Sequence, residues 1–193
     1  MSQDRRIRRT QKLLGQALIA LVLEKGYKNI TIQDVTDYAD IGYRTYFRHY
    51  AGLEELFIDI AQERLDELYD MLTQLPADEN ITDSVAIFQK SGVTLFKHIQ
   101  KNQKVFQAVL LDDDLHFILE PMIKMACLKT ETLLNDLVEP NIAIPIAANH
   151  IIASVIALMR WWLKNDMPYS FERMGEIYTD LIIKPTWLAL TSK

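Results

Sequence analysis

The chain has 193 residues, 49% of them hydrophobic, which is enough for one sizeable core or two smaller ones. Its formal net charge of −5 argues against a uniformly basic protein, but the charge is unevenly distributed. Residues 1–50 carry nine Lys and Arg against five Asp and Glu, whereas the rest of the chain carries twelve against twenty-one. A basic end on an acidic body is expected where only that end meets phosphates.

The cellular location is predicted from three features. The single cysteine, Cys127, cannot form an internal disulfide, which fits a reducing compartment. The basic start lacks the apolar core of a signal peptide. The most apolar stretch, 144–163, is interrupted by Asn149 and Arg160, so it does not supply the roughly 20 clean apolar residues of a membrane span. We therefore expect a cytoplasmic protein without a membrane partner.

Helical periodicity dominates the chain, and no run of alternating residues indicates a strand. Helices are predicted at about 5–25, 31–39, 43–49, 53–73, 82–100, 102–111, 146–164 and 171–190. Another is predicted between the sixth and the last two; the run 112–114 caps it, and it extends to about residue 138. The sequence therefore predicts an all-α fold of about nine helices. A three-helix head, residues 1–52, is expected to join a larger helical bundle, residues 53–193.

The second and third predicted helices have the spacing of a helix-turn-helix, with a tight turn at 40–42. Thr31 begins this pair, and Asp34 three residues later completes a variant of the capping box. On the third helix, Arg44 and Arg48 are suited to phosphates or guanine edges. The alternative is a compact helical cap with core aromatics and solvated arginines. Five of the eight tyrosines lie between residues 27 and 50, beside this basic cluster, which favours DNA binding.

Residues from about 8 to 56 resemble the TetR/AcrR family of bacterial transcription regulators. The resemblance is carried by Gly26-Tyr27, Thr31-Ile32, Ala39-Asp40-Ile41-Gly42, the run Tyr43-Arg44-Thr45-Tyr46-Phe47-Arg48-His49-Tyr50, and Leu53-Glu54-Glu55-Leu56. The chain also departs from the family pattern. Gly42 stands where the family has a capping Ser, and Phe47 stands where it has a phosphate-binding Tyr. Leu53 replaces a Lys of the family pattern, and Arg44 replaces a Gly. The operator of this chain is therefore not expected to match that of its relatives.

The motif and the side-chain chemistry together predict which residues contact DNA. They are Thr31, Gln33, Gly42, Tyr43, Arg44, Thr45, Tyr46, Arg48 and His49. Arg44 is the leading candidate for reading a base, and the hydroxyl of Tyr46 is expected to compensate for Phe47. A basic arm at 5–9 would add phosphate contacts without sequence choice.

The resemblance implies a C-terminal domain that binds a small effector and dimerises through its last two helices. The helix at 146–164 is apolar most of the way round, as expected of a helix covered on two sides, although the core helix of a monomer has the same pattern. The predicted dimer interface consists of Ile151, Val155, Trp161, Trp162 and Trp187. The predicted effector pocket consists of Phe88, Phe96, Phe106, Met122, Met125 and Ile152, a set that plain core packing would also explain.

Three further expectations concern polar residues of the body. His150, on an apolar helix, is expected in the core, and His98 on the surface. The acidic run 112–114 is explained by helix capping and the helix dipole, so no metal is predicted, and no cofactor.

The predicted function is DNA-binding transcription regulation by a homodimer on palindromic double-stranded operator DNA. The family default is a repressor that an unidentified small-molecule effector releases. The isolated glycines form no phosphate-binding loop, and a nucleophile elbow is missing, so the chain is not predicted to be an enzyme. The alternative is a TetR-like adaptor or co-activator that acts mainly through protein–protein interaction, which the departures at Gly42, Phe47 and Leu53 favour.

Overall fold

The computed structural model describes residues 2–73, 84–135 and 140–192. Throughout these ranges the protein is helical and contains no strand. The helices are α1 (Ser2–Lys25), α2 (Ile32–Ala39), α3 (Tyr43–Tyr46), α4 (Leu53–Thr73), α5 (Ser84–Lys101), α6 (Gln103–Leu111), α7 (His116–Asn135), α8 (Ile144–Lys164), α9 (Phe171–Tyr178) and α10 (Lys184–Thr191). A π-helical segment, Thr179–Ile183, joins α9 to α10 without a break. Apart from a short 3₁₀ helix at Tyr27–Asn29, the described residues thus form nine continuous helical stretches, and the all-α prediction is confirmed.

The chain forms two compact units. Unit 1 comprises Met1–Arg64 and Lys104–Glu120, and unit 2 comprises Leu65–Gln103 and Pro121–Lys193. One boundary falls inside α7 at Pro121, whose ring removes a backbone donor from the helix. The functional division of 1–52 from 53–193 stays a prediction. The boundary between the compact units differs from this predicted one, because the first half of α4 packs with the head and belongs to unit 1.

Unit 1 is built around the apolar stripe of α1. Leu14, Ala17 and Leu18 are completely or almost completely buried, as helical spacing predicts. Leu56 and Phe57 of α4 are also fully buried. Helix α2 packs on α1, and α3 packs on α2. The head is therefore held on a hydrophobic base to which α4 contributes.

An acidic segment after α6 binds the turn that follows α1, within unit 1. The Asp112 carboxylate accepts the backbone N–H of Tyr27 at 3.3 Å and that of Asp114 at 2.9 Å. Lys28 forms an ion pair with Asp114. A 3₁₀ turn, Asp113–Leu115, precedes α7. The expected capping role of this run therefore applies to the 3₁₀ turn, and the same carboxylates also tie it to residues 27–28.

Unit 2 contains a close helix crossing and an aromatic core. Helices α5 and α9 meet at Gly92 and Gly175, where a Cβ on Gly175 would lie 2.6 Å from the backbone nitrogen of Val93. Phe96 and Trp162 are fully buried, with ring centroids 5.4 Å apart in a T-shaped arrangement. Small residues at the crossing allow the backbones to approach, and the aromatic side chains fill the space beside them.

Helix α8 is long and apolar enough, by composition alone, to cross a membrane. Its most apolar 18-residue window has a mean hydropathy of 1.4, and 39% of that window is buried inside the protein. The core helix of a globular protein meets the same criteria. This finding therefore does not assign α8 to a membrane.

Candidate DNA-binding interface

The turn between α2 and α3 is defined by caps at both ends of α2. The Thr31 hydroxyl accepts the backbone N–H of Asp34 at 3.1 Å, and the Asp34 carboxylate accepts the Thr31 N–H at 2.7 Å. Helix α2 ends at Asp40, which adopts a left-handed conformation with φ 54° and ψ 44°. The Ile41 N–H then donates to the Thr36 carbonyl at 3.0 Å. The predicted capping box is confirmed, and the chain turns at residue 40 as the sequence predicts.

The N-terminus of α2 already holds a negative charge. Asp34 accepts hydrogen bonds from the hydroxyl and the backbone N–H of Thr31, and Lys25 lies 3.1 Å away. These contacts, with the Thr31 hydroxyl first, lower the pKa of Asp34 from 3.8 to about 2. A phosphate approaching Thr31 would therefore meet a carboxylate, with Lys25 as the nearest compensating charge.

Two pairs of side chains, each spaced i, i+4, form the outer face of α3 and the turn after it. Tyr43 and Phe47 are 50% and 47% exposed, and we call this pair the aromatic row. Arg44 and Arg48 are also exposed and form the arginine row beside it. Residues four apart on a helix lie on the same side, so the two rows run next to each other.

The two arginines differ in their local contacts. Arg48 donates from Nη2 to the hydroxyl of Thr45 at 3.2 Å, which holds its guanidinium close to the helix. Arg44 makes no hydrogen bond or ion pair with any residue in the described part of the chain. Its five N–H donors are available to an external acceptor.

Tyr46 lies in the core, which corrects the prediction that its hydroxyl faces DNA. The residue is fully buried, and its ring lies 6.0 Å from that of Tyr50 and 5.5 Å from that of Phe47. Its hydroxyl has no hydrogen-bond partner among the described residues, and burial raises its pKa. Tyr46 and Tyr50 share the inner face through their i, i+4 spacing, so the neighbouring Phe47 is turned outward. That spacing was the signal in the sequence that the prediction missed.

The remaining predicted contact residues lie in the same unit. Gln33 is exposed and donates from Nε2 to Asp37 at 2.6 Å. Gly42 precedes α3 and supplies no side-chain cap, as expected for a residue that replaces Ser. Thr45 and His49 are half-buried. Their contacts with DNA stay predictions.

The predicted effector-pocket residues are divided between the two units. Phe106 belongs to unit 1, whereas Phe96, Met122, Met125 and Ile152 belong to unit 2. The side chain of Phe88 lies outside the described residues. An open groove on α8 is lined by other residues, namely Pro145, Ile146, Asn149, His150 and Ala153. The set of six is therefore not one pocket within either unit.

The predicted dimer residues divide into a buried group and a more exposed group. Ile151, Val155 and Trp162 are buried within unit 2, so the prediction that they form the dimer interface is corrected. Trp161 is 46% exposed and stacks on Tyr169 at 6.1 Å between ring centroids. Trp187 is half-buried. The most exposed apolar side chains in this part of the chain were not predicted, and they are Ile146, Leu181 and Leu188.

The two histidines of the body are placed opposite to expectation. His98 is only 3% exposed, and Asn102 donates to its carbonyl at 3.1 Å. His150 is exposed and lines the groove on α8. The buried stripe of α8 includes residues 147, 148, 151 and 152, which leaves position 150 on the outer side.

The described chain is all-α and combines a capped helix-turn-helix with a second helical unit. This architecture is typical of the helix-turn-helix class of transcriptional regulators. The family described as transcriptional regulator C-terminal region (TetR_C_8) matches residues 86–184, just over half of the chain. The chain belongs to the TetR family of transcriptional regulators, whose members are regulators rather than enzymes.

Two curated relatives match part of the chain. The uncharacterized HTH-type transcriptional regulator YxbF of Bacillus subtilis (strain 168) is 39% identical over 71 residues, which are 36% of this chain and 19% of YxbF. The HTH-type transcriptional regulator TcmR of Streptomyces glaucescens is 30% identical over 78 residues, 40% of this chain and 34% of TcmR. The matches thus span about a fifth and about a third of the length of these relatives.

Solved structures of TetR-type regulators share the fold over nearly the whole chain. A TetR transcriptional regulator from Streptococcus agalactiae is 24% identical with a TM-score of 0.64, covering 94% of this chain and 98% of that one. The fatty acid degradation regulator FadR from Bacillus halodurans has a TM-score of 0.73 at 15% identity, covering 90% and 94%. FadR from Bacillus subtilis in complex with stearoyl-CoA has a TM-score of 0.66 at 12% identity, covering 89% and 97%.

Proposed function

We propose that this TetR-family regulator binds palindromic double-stranded operator DNA through α2 and α3. In this proposal it acts as a cytoplasmic homodimeric repressor that a small-molecule effector releases. The observation that carries the proposal is the arginine row, in which Arg44 is exposed without a partner among the described residues. A guanidinium in this position matches the paired acceptors O6 and N7 of guanine in the major groove.

The neighbouring side chains support a division of labour on DNA. Arg48, held by Thr45, is suited to a phosphate, because a fixed cation positions the helix without choosing a base. Gln33, Gly42, Tyr43 and His49 lie in the same unit and complete the proposed contact set. The phosphate contact of Thr31 is proposed to use Lys25 as well, since Asp34 occupies the end of α2.

A homodimer is supported by the exposed apolar residues of unit 2. Helix α8 packs against the π-helical segment and α10, and each of these three carries a large apolar side chain with its surface mostly exposed. Those side chains are Ile146, Leu181 and Leu188. Trp161 and Trp187 are retained as additional interface candidates. A two-fold dimer would present two heads to the two halves of a palindrome.

The effector is proposed to be a largely apolar small molecule bound in unit 2. The side chains proposed to contact it there are Phe96, Met122, Met125 and Ile152, all apolar. Methionine is well suited to this role because its flexible side chain adapts to irregular ligands. The B. subtilis FadR structure, which shares the fold, contains stearoyl-CoA.

The proposal is tested by selecting bound fragments from genomic DNA and measuring affinity for the recovered duplex. Arg44→Ala is expected to weaken binding by about 5- to 150-fold and to relax specificity at one base position. Arg173→Ala is the matched control, because this exposed arginine in unit 2 pairs with Glu176. Wild-type affinity should also fall steeply as salt is raised.

Two results would contradict the proposal. The first is the recovery of no specific fragment by the wild-type protein. The second is an Arg44→Ala variant with wild-type affinity and wild-type base preference, which would remove the arginine row from the reading of DNA.

A further inference from the structure

The aromatic row is an unusual surface for a polar ligand. Phe47 is 47% exposed although its side chain has no polar atom, and Tyr43 beside it is 50% exposed. The rings meet edge to face, with centroids 5.1 Å apart and planes at 63°. Phe47 also contacts the buried ring of Tyr46 at 5.5 Å. The exposed ring is therefore held between one anchored neighbour and one surface neighbour.

From this arrangement we infer that the aromatic row, chiefly through the ring of Phe47, binds the C5-methyl group of thymine in the operator. The inference rests on the proposed DNA binding and adds a base preference to it. In the major groove, the thymine methyl is the apolar group that distinguishes thymine from the other bases. An exposed, preorganised phenyl ring gains by covering such a methyl and loses little side-chain freedom in doing so.

The arginine row indicates that the occupant of this surface is DNA. Arg44 and Arg48 run alongside the aromatic row, so any ligand that covers Phe47 also meets two cations. A duplex offers both chemistries together, because phosphates and guanine acceptors lie close to thymine methyls in the same groove. A protein partner would have to supply acidic groups beside an apolar patch.

The experiment uses the selected duplex and the same duplex with single thymines replaced by deoxyuridine. This replacement removes one methyl group and leaves all hydrogen-bonding groups of the base unchanged. At the thymine beneath Phe47, the wild-type protein is expected to lose about fourfold in affinity, the value of burying one methyl-sized group. Phe47→Ala and Phe47→Asn are expected to bind both duplexes equally at that position.

Two control variants test whether the preference for thymine depends on the aromatic ring of Phe47 rather than on any loss of exposed apolar surface. Phe47→Tyr keeps the ring and should keep the preference for thymine over uracil. Leu23→Ala removes another exposed apolar side chain of unit 1, in α1, and should also keep it. Thermal unfolding of each variant verifies that it is folded.

The outcomes distinguish this inference from the proposed function. If the wild-type protein binds the duplex but no deoxyuridine changes its affinity, the inference is wrong and DNA binding stands. The same conclusion follows if Phe47→Ala keeps the wild-type ratio at every position, as it would if a protein partner covered the row. If the wild-type protein binds no duplex, both this inference and the proposed function are wrong.

Discussion

Removing the buried hydroxyl of Tyr46 and removing that of Tyr69 are expected to change the stability of the protein in opposite directions. The Tyr46 hydroxyl has no partner among the described residues, whereas the buried hydroxyl of Tyr69 donates to the Ala126 carbonyl at 2.9 Å and lies 2.8 Å from the Thr130 hydroxyl. Because an unpaired buried polar group costs more than a paired one, Tyr46→Phe should raise the free energy of unfolding by about 1 kcal/mol. Tyr69→Phe should lower it by about the same amount. Urea unfolding of both variants measures these changes, and a marked loss of stability in Tyr46→Phe would contradict the prediction.

The lowered pKa of Asp34, at the N-terminus of α2, predicts that the free energy of unfolding depends on pH. Its pKa is lowered from 3.8 to about 2 in the folded state, so the folded protein holds a proton there less readily than the unfolded chain. The stabilisation is therefore present above pH 3.8 and is lost as the pH falls towards about 2. Asp34→Asn should be less stable than wild type at neutral pH, and the gap should narrow across this window.

Urea unfolding at several pH values tests the role of Asp34. Thr31→Val removes the hydroxyl that is the first cause of the lowered pKa, so it should reduce the same pH dependence. A gap between wild type and Asp34→Asn that stays constant through the window would show that the carboxylate does not cap α2.

The sequence predicts which residues form the helices of the head better than it predicts which of their side chains are buried and which are exposed. The capping box at Thr31 and Asp34 could be predicted because it depends on residues three positions apart. The orientation of Tyr46 and Phe47 follows the i, i+4 spacing of Tyr46 and Tyr50, which buries one side of a very short helix, and side-chain chemistry alone does not indicate it. His98 and His150 were misplaced for the same reason, since an apolar helix has both a buried and an exposed side. The exposed surface of Phe47 became visible only in the folded chain.

At the scale of helices, the crossing of α5 and α9 depends on two glycines. A Cβ on Gly175 would lie 2.6 Å from the Val93 nitrogen and 2.9 Å from the Gly92 carbonyl carbon. Backbone atoms yield less easily than the end of a side chain, so Gly175→Ala should destabilise the protein by about 1–3 kcal/mol. Gly52→Ala is the matched control, because a Cβ there meets nothing within 4 Å. Equal stability of the two variants would show that the helices separate without cost.

The positions of helices followed from periodicity, whereas two irregular segments did not. Helix α4 begins where the sequence predicts, at Leu53, and is helical to the end of this described range, at Thr73. The helix that the run 112–114 is expected to cap starts at His116, after a 3₁₀ turn in which the Asp112 carboxylate accepts the Asp114 N–H and also binds the Tyr27 backbone. The π-helical segment Thr179–Ile183 lies in the last helix directly before Pro185, which has no backbone N–H to donate to the Leu181 carbonyl. The 3₁₀ turn is held by a contact with Tyr27, which is distant in sequence, whereas the π-helical segment coincides with a local break in the helical hydrogen bonds at Pro185.

At the scale of the whole molecule, operator affinity is expected to depend on dimerisation through unit 2. Leu181 and Leu188 are 68% and 66% exposed, far more than apolar residues of a packed core. Exposed apolar side chains on neighbouring helices are typical of an association surface. Two heads joined in this way bind two half-sites together, so that separation of the subunits weakens binding without altering either head.

The double substitution Leu181→Glu with Leu188→Glu tests this dependence. Like charges buried against each other on a two-fold axis should shift the protein from dimer to monomer in analytical ultracentrifugation. Affinity for the full palindrome should fall by at least about tenfold, while binding to an isolated half-site stays as in wild type. Leu128→Glu is the control, since this leucine of α7 is 55% exposed but lies outside α8, the π-helical segment and α10. A double variant that remains dimeric and retains full affinity would place the dimer interface elsewhere.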